Sequence, residues 1–237
     1  MILENLLQDA LPDDHSRQVN SEQMLNQFLD QKSDLDIRVL DLGCGNGRSI
    51  DLFKSKSKNI KWIGVDIDSS PEVDSRMRTD GEFLTFDGIH LPFEDNYFDL
   101  IYSNQVFEHV RHPEKLLKDV FRVLKPGASF IGSVSHLEPF HSYSYWNYTP
   151  YGFKVLAEDA GLTLKKIRPS IDSLTLIIRS GLRVKAASSL DRYWIYESPL
   201  NKLISFFSRL KKYHNSRINV MKLSLCGQFC FQIIKED

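Results

Sequence analysis

Cysteine is scarce: the 237 residues hold three, Cys44, Cys226 and Cys230. The number is odd and no CxxC pair occurs, which excludes a disulfide scaffold and a cysteine-ligated zinc site and suits a reduced compartment. No metal is expected. Net charge is nearly absent too, since 30 Lys and Arg face 31 Asp and Glu for a total of −1. That is too little for a protein coating nucleic acid over its whole surface, so no DNA partner is expected. No apolar run approaches the ~18 to 20 residues needed to span a bilayer. The opening MILENLLQDALPDDH carries acids where a secretion signal needs a basic start, so export is not expected and a cytoplasmic, at most membrane-peripheral, location is. Internal repeats and low-complexity tracts are missing as well. What is present, 42% hydrophobic and 11% aromatic residues, suffices for one well-buried core.

The apolar pattern changes period along the chain. Ile2/Leu3 with Leu6/Leu7, and Met24/Leu25 with Phe28/Leu29, repeat at helical spacing and predict two short helices within residues 1–36, the second capped by Ser21. Short β-branched or aromatic runs follow: IRVLDLG (37–43), IKWIGVD (60–66), FLTFD (83–87), FDLIYS (98–103) and SFIGSVS (129–135). Separated by segments long enough for crossover helices, they predict a doubly wound α/β core over residues 37–170 with a mostly parallel sheet. Phe98 and Asp99 open the fourth run, and Lys125-Pro126-Gly127 reads as a turn into the fifth. Thr149, Pro150 and Gly161 mark the cap, first position and C-terminal stop of one more helix before LTLKKIR (162–168). The final strand candidate, QFCFQII (228–234), comes only after about sixty residues. Residues 171–222 therefore read as an insertion, and residues 223–237 as a return to the core sheet. Charge is segregated: nine Lys/Arg against two acids over 181–222 give +7, leaving −8 on the rest of the chain.

Chemistry concentrates at the ends of the predicted strands. Asp41-Leu-Gly43-Cys44-Gly45-Asn-Gly47 stands where the first strand meets a helix. Glycines there allow positive φ and close approach of a ligand, and a helix N-terminus offers free N–H groups. Arg48 occupies the position where a dinucleotide fingerprint needs a small residue, and no Gly-Lys-Ser/Thr follows as in a phosphate-binding Walker loop. Asp66 ends the second strand, where a carboxylate can accept from both hydroxyls of a ribose, and Asp87 ends the third, where it can accept from an adenine amine.

In this order the motifs resemble the class I S-adenosylmethionine-dependent methyltransferases, in particular their type 11 small-molecule branch. The likeness covers about residues 38–168 through DLGCGNG (41–47), GVDID (64–68), FDGIHLPFEDNYFDLIYSNQVFEHV (86–110), HPEKLLKDVFRVLKPGASF (112–130) and TPYGFKVLAEDAGL (149–162). It implies a seven-stranded sheet in which QFCFQII runs antiparallel beside LTLKKIR, with S-adenosyl-L-methionine as cofactor. Asp41, Gly43, Cys44 and Gly45 would lie under the methionine end, Asp66 would hold the ribose, and Ile67 would pack on the adenine. Asp87 with Gly88 would meet the adenine edge, and Ser103, Asn104 and Gln105 would line the methyl-donor pocket.

The acceptor is the open part. The segment from His136 to Thr149 carries two histidines and five aromatics and reads equally as an acceptor pocket or as a lid packed on the core. Within the family, the series His141, Tyr145, Trp146, Asn147, Thr149-Pro150 and Gly152 resembles a loop of methyltransferases associated with sugar and polysaccharide chemistry. The expected activity is methyl transfer to a small-molecule or saccharide hydroxyl, with His141 the first candidate base and His136 the second. His109 reads as a local hydrogen-bonding partner. The alternatives are an inert cofactor-binding relative, a nicotinamide oxidoreductase, and an RNA methyltransferase working through the basic insertion. Ser103-Asn104-Gln105-Val106 lacks the Asn/Asp-Pro-Pro-Tyr/Phe signature of enzymes that methylate base amino groups. Within 199–214, Leu200, Leu203, Ile204, Phe207 and Leu210 share a helical face beside Lys202, Arg209, Lys211 and Lys212. Packing of that face on the sheet or on a second subunit is favoured over contact with an anionic membrane.

Overall fold

Strand alternation sorts the core into two layers. In the computed structural model, which describes residues 2–32, 35–181 and 185–237, the strands are β1 (Arg38–Leu42), β2 (Lys61–Asp66), β3 (Glu82–Thr85), β4 (Phe98–Asn104), β5 (Leu124–Ser135), β6 (Thr163–Pro169) and β7 (Gln228–Ile234). They form one sheet in the order β3-β2-β1-β4-β5-β7-β6. All pairings are parallel except those of β7, which runs antiparallel to both neighbours. The doubly wound sheet read from the chain is therefore present, with QFCFQII inserted between β5 and LTLKKIR.

Helices α1 (Ile2–Leu7), α2 (Ser21–Leu29), α3 (Ser49–Lys56), α4 (Pro71–Asp74), α5 (Pro113–Val123) and α6 (Pro150–Asp159) surround the sheet. Met24, Leu25 and Leu29 of α2 and Phe53 of α3 pack with Val39, Leu100, Tyr102, Ile131 and Cys230 on one face. The alternate strand residues Leu40, Ile101, Phe130, Phe229 and Phe231 meet Leu7, Leu116, Leu117 and Phe153 on the other. This period of two is what a sheet covered on both faces requires. All three cysteines are buried and free, and burial pushes each thiol well above its ordinary range.

Three local expectations are corrected. The cap of α2 is Asn20, in a reciprocal box with Gln23, while Ser21 turns inward and its Oγ bonds Tyr102 Oη and Asn104 Oδ1. β3 stops at Thr85, so Asp87 lies in the following loop. Lys125-Pro126-Gly127 is not a turn before β5 but an irregularity within it: pairing with β4 shifts register there, and Gly127 takes φ +71°.

The insertion holds α7 (Ser173–Gly181), a 3-10 segment Lys185–Trp194, α8 (Pro199–Leu210) and α9 (Asn215–Leu223). Residues 182–184 lie outside the described residues. Its anchor is polar. Gln18 Nε2 donates to the Tyr193 carbonyl at 2.7 Å and Asn20 Nδ2 to that of Trp194 at 3.1 Å. Lys222, fully buried, donates to Ser16 O at 2.5 Å and to the Glu197 carboxylate. Fully buried Arg168 of β6 likewise reaches Asp14 and the His15 carbonyl.

Candidate cofactor and acceptor site

The order of strands reverses between β1 and β4, and a ligand crevice opens at the strand ends of such a switch point. The glycine loop leaves β1 here, with φ +72° at Gly43 and +48° at Gly45. A methyl group on Gly43 would stand 2.3 Å from Val106 Cγ2, so contact and backbone conformation both demand glycine. Gly43→Ala is expected to cost about 1–3 kcal/mol of stability and to weaken ligand binding at the loop, checked by thermal denaturation and calorimetric titration.

A cavity of about 300 Å³ runs over this loop, lined by Asp41, Gly43, Cys44, Gly45, Glu72 and Asn104 among others. Gly45 N–H donates to Asp66 Oδ2 at 2.7 Å and Ile67 N–H to Oδ1 at 2.8 Å, so Asp66 ties the loop to the end of β2 while keeping lone pairs for further donors. Asp41 is buried beneath. Its carboxylate accepts from Ser49 Oγ and has no cationic partner among the described residues. Burial, reinforced by the charge of Asp66 and opposed by the Ser49 bond, raises its pKa to about 7. A ligand with a cationic amino-acid end and a ribose fits this donor set: the cation answers Asp41, and the hydroxyls answer Asp66.

The sign of the pH effect follows. A carboxyl raised on folding favours the folded state below its ordinary pKa, and that contribution is lost as pH climbs toward about 7. A cationic ligand reverses the preference and binds the ionised form. Affinity for such a ligand should rise between about pH 6 and about pH 8, and the rise should vanish in Asp41→Asn, as calorimetry at both ends would reveal.

The other expected cofactor residues sit unequally. Ile67 is exposed, and a methyl on Gly88 would lie 4.0 Å from its Cγ2, so these two flank one slot at the outer rim. The Asp87 carboxylate accepts from Ile89 N–H and His90 N–H at 2.8 and 2.6 Å and pairs with His90 Nδ1 at 2.7 Å, and these bonds hold its pKa down at about 2. Asn104 reaches the crevice and Gln105 borders the adjoining cavity. Ser103 does not: it is fully buried and lines neither cavity, because on β4 only residues 102 and 104 share the crevice face.

That adjoining cavity, about 420 Å³, is lined by Asn20, Ser21, Gln105, Ser133, Trp194 and Gln228 among others, and shares Glu22, Arg48 and Asn104 with the first. Part of its wall comes from α2 and the insertion, through Ser21, Glu22, Trp194 and Ile195, whose part in the site nothing in the chain announces. On the far side of Gln105, Glu108 is fully buried with Oε2 unpartnered. Burial, reinforced by Glu138, raises its pKa to about 8. His141 lines neither cavity; its Nε2 stands 4.0 Å from Glu108 Oε1, and its Nδ1 lies 3.3 Å from the Pro139 carbonyl. His109 completes the group, its ring 5.2 Å from that of His141. Glu108 escapes sequence reasoning because a lone acid in the short 3-10 turn Phe107–His109 looks solvated until the fold buries it. His136 is placed differently: its Nδ1 bonds the Tyr148 carbonyl at 2.8 Å, and burial lowers its pKa. The aromatic segment packs only in part: Tyr148 is buried with its hydroxyl on Phe107 O, whereas Phe140, Tyr143 and Tyr145 face outward, and no residue of 136–149 lines either cavity.

With this geometry in view, residues 40–132 match the family model described as a methyltransferase domain. The chain carries a class I S-adenosylmethionine-dependent methyltransferase domain. It is 31% identical over 94 residues to demethylmenaquinone methyltransferase of Renibacterium salmoninarum, covering 40% of this chain and 39% of that protein. It is 28% identical over 161 residues to norajmaline N-methyltransferase of Rauvolfia serpentina, covering 64% and 51%. The chain thus spans about two fifths to one half of these curated relatives. Among solved structures, a sarcosine dimethylglycine methyltransferase, so described provisionally, from Galdieria sulphuraria superposes with TM-score 0.61 at 17% identity, covering 92% of this chain and 85% of that one. At that identity the likeness concerns the fold. S-adenosylmethionine is the ligand of this family, and its ammonium and ribose match the demands of Asp41 and Asp66.

Proposed function

We propose that this methyltransferase moves a methyl group from S-adenosylmethionine to a hydroxyl of a small polar acceptor of saccharide type, with His141 as general base. The observation carrying the proposal is that the cofactor crevice and the amide-rich cavity meet at Glu22, Arg48 and Asn104. Side-chain amides and hydroxyls beside the Trp194 ring suit a polyhydroxylated acceptor, because each can pair with a hydroxyl and the ring covers an apolar sugar face. The bound cofactor supplies a methyl group on a sulfonium, open to in-line attack. The chain's part is to hold acceptor and donor in line with water excluded, worth up to ~7 to 11 kcal/mol, and to receive the hydroxyl proton.

With Nδ1 donating to Pro139, His141 keeps its Nε2 lone pair for that proton; Glu108, 4.0 Å away with its pKa at about 8, becomes a countercharge for the resulting imidazolium only as pH rises toward that value. His136, tied to Tyr148, shapes the loop instead. His141→Ala is expected to lower turnover with a hydroxyl acceptor by about 10²- to 10⁴-fold while cofactor affinity stays within about twofold, measured by labelled methyl incorporation into saccharide extracts alongside calorimetry. Unchanged turnover would remove the base and favour an amine acceptor, which need only be neutral. Binding of cofactor without incorporation into any saccharide, lipid or RNA fraction would favour an inert relative.

A further inference from the structure

Helix α8 is built inside out. On its inner side Asn201 and Ser208, seven residues apart, are almost fully buried. Asn201 Nδ2 donates to Gln18 Oε1 at 2.8 Å and Ser170 O at 3.0 Å, and Ser208 Oγ lies 3.4 Å from Met221 Sδ. Facing out are Leu203, Phe206, Phe207 and Leu210, at i, i+3, i+4 and i+7, each more than half exposed. The apolar stripe that ordinarily binds a helix to its core here faces away from it. Of the two favoured expectations, packing on the sheet is not met, which leaves a second subunit. Neighbouring α7 repeats the arrangement with exposed Leu174, Ile177 and Ile178, and Ile195 and Tyr196 just before α8 are exposed as well. An apolar surface of this extent is not left in water without a use.

Charge says what covers it. Lys202, Arg209, Lys211 and Lys212 are exposed on and just after α8, and among the described residues no carboxylate is ion-paired with them. The two acids of 181–222 are engaged elsewhere, Asp191 with Arg179 and Glu197 with Lys222. Lys202 and Arg209 border the exposed stripe on one side, and Lys211 and Lys212 follow it at its C-terminal end, where long stems can run beside apolar surface while their heads reach a charged layer. A second copy docked face to face would set Lys202, Arg209, Lys211 and Lys212 against the same four cations, which repels. A transmembrane course is excluded for this helix, since no described helix is long and apolar enough to cross a bilayer. We propose that the outer face of α8, with the adjoining face of α7, docks on an anionic lipid bilayer, lying in the interface with its aromatic residues inserted and its Lys and Arg over the lipid phosphates.

Flotation of the full chain with phosphatidylcholine vesicles, with and without one third phosphatidylglycerol, tests this. Binding to the anionic vesicles should exceed binding to neutral ones by at least about tenfold and fall with added salt. The pair Phe206→Ser/Phe207→Ser should abolish it, and Lys202→Glu/Lys211→Glu should weaken it strongly. These side chains are exposed, so all variants should keep wild-type melting temperature and cofactor affinity, which separates this test from that of the methyl-transfer reading. Equal binding to both vesicles, no binding at low salt, or unaltered binding of the Phe206/Phe207 variant would overturn the proposal. So would a dimer in light scattering that the same variant makes monomeric, because the face would then join two copies.

Discussion

Asp66→Ala is expected to weaken S-adenosylmethionine binding by at least about a hundredfold. A carboxylate accepting from two ribose hydroxyls contributes about 1.5–3 kcal/mol for each charge-assisted bond, and about 1.4 kcal/mol is a factor of ten in affinity. The same side chain receives the Gly45 and Ile67 amides, so its removal also loosens the loop that forms the cofactor floor. Titration calorimetry reads the loss directly. Asp66→Asn should fall between the two, keeping one acceptor oxygen but not the charge. Wild-type affinity in the alanine variant would mean that the ribose is held elsewhere, and the assignment of the crevice would fall with it.

The second large effect is on stability. Glu197 is the carboxylate partner of the fully buried Lys222 ammonium, which among the described residues otherwise has only the Ser16 carbonyl. Glu197→Ala leaves a buried cation without its countercharge, a loss of about 3–5 kcal/mol. Burial already depresses the Lys222 pKa, and Glu197 pulls it back, so part of the penalty should appear as loss of the proton in the variant. The double variant Glu197→Ala/Lys222→Met should recover much of the stability by replacing the pair with apolar volume, and chemical denaturation of the three proteins would show it. A single variant as stable as wild type would mean that water reaches this site.

What could be read in the chain is what local chemistry dictates. DLGCGNG announces its own turn, because only glycine accepts the backbone angles found at 43 and 45. The short apolar runs announce a sheet covered on both faces, while the antiparallel course of β7 came from the likeness to a family and not from periodicity. The features that escaped depend on long-range contact. Nothing near Glu108 marks it as buried until the segment 136–149 closes over it, with Tyr145 and Trp146 amides on its carbonyl. The cavity between α2 and the insertion joins residues about 175 apart in sequence. Helical periodicity identified the apolar face of α8 but is silent on direction, and expectation turned that face inward because most helices do so. At Ser103 a strand-end position was counted as a ligand contact without regard to alternation.

The three native thiols carry a practical consequence. Cys226 and Cys230 are enclosed by side chains, Cys44 sits at the floor of the cofactor crevice, and all three are held in the protonated form, whereas it is the thiolate that reacts with peroxide, maleimide or another sulfhydryl. The folded chain should therefore shrug off mild oxidants. A single cysteine engineered onto the surface would be the only one to take a fluorophore or spin label, giving a one-site reporter without stripping any residue nature placed inside.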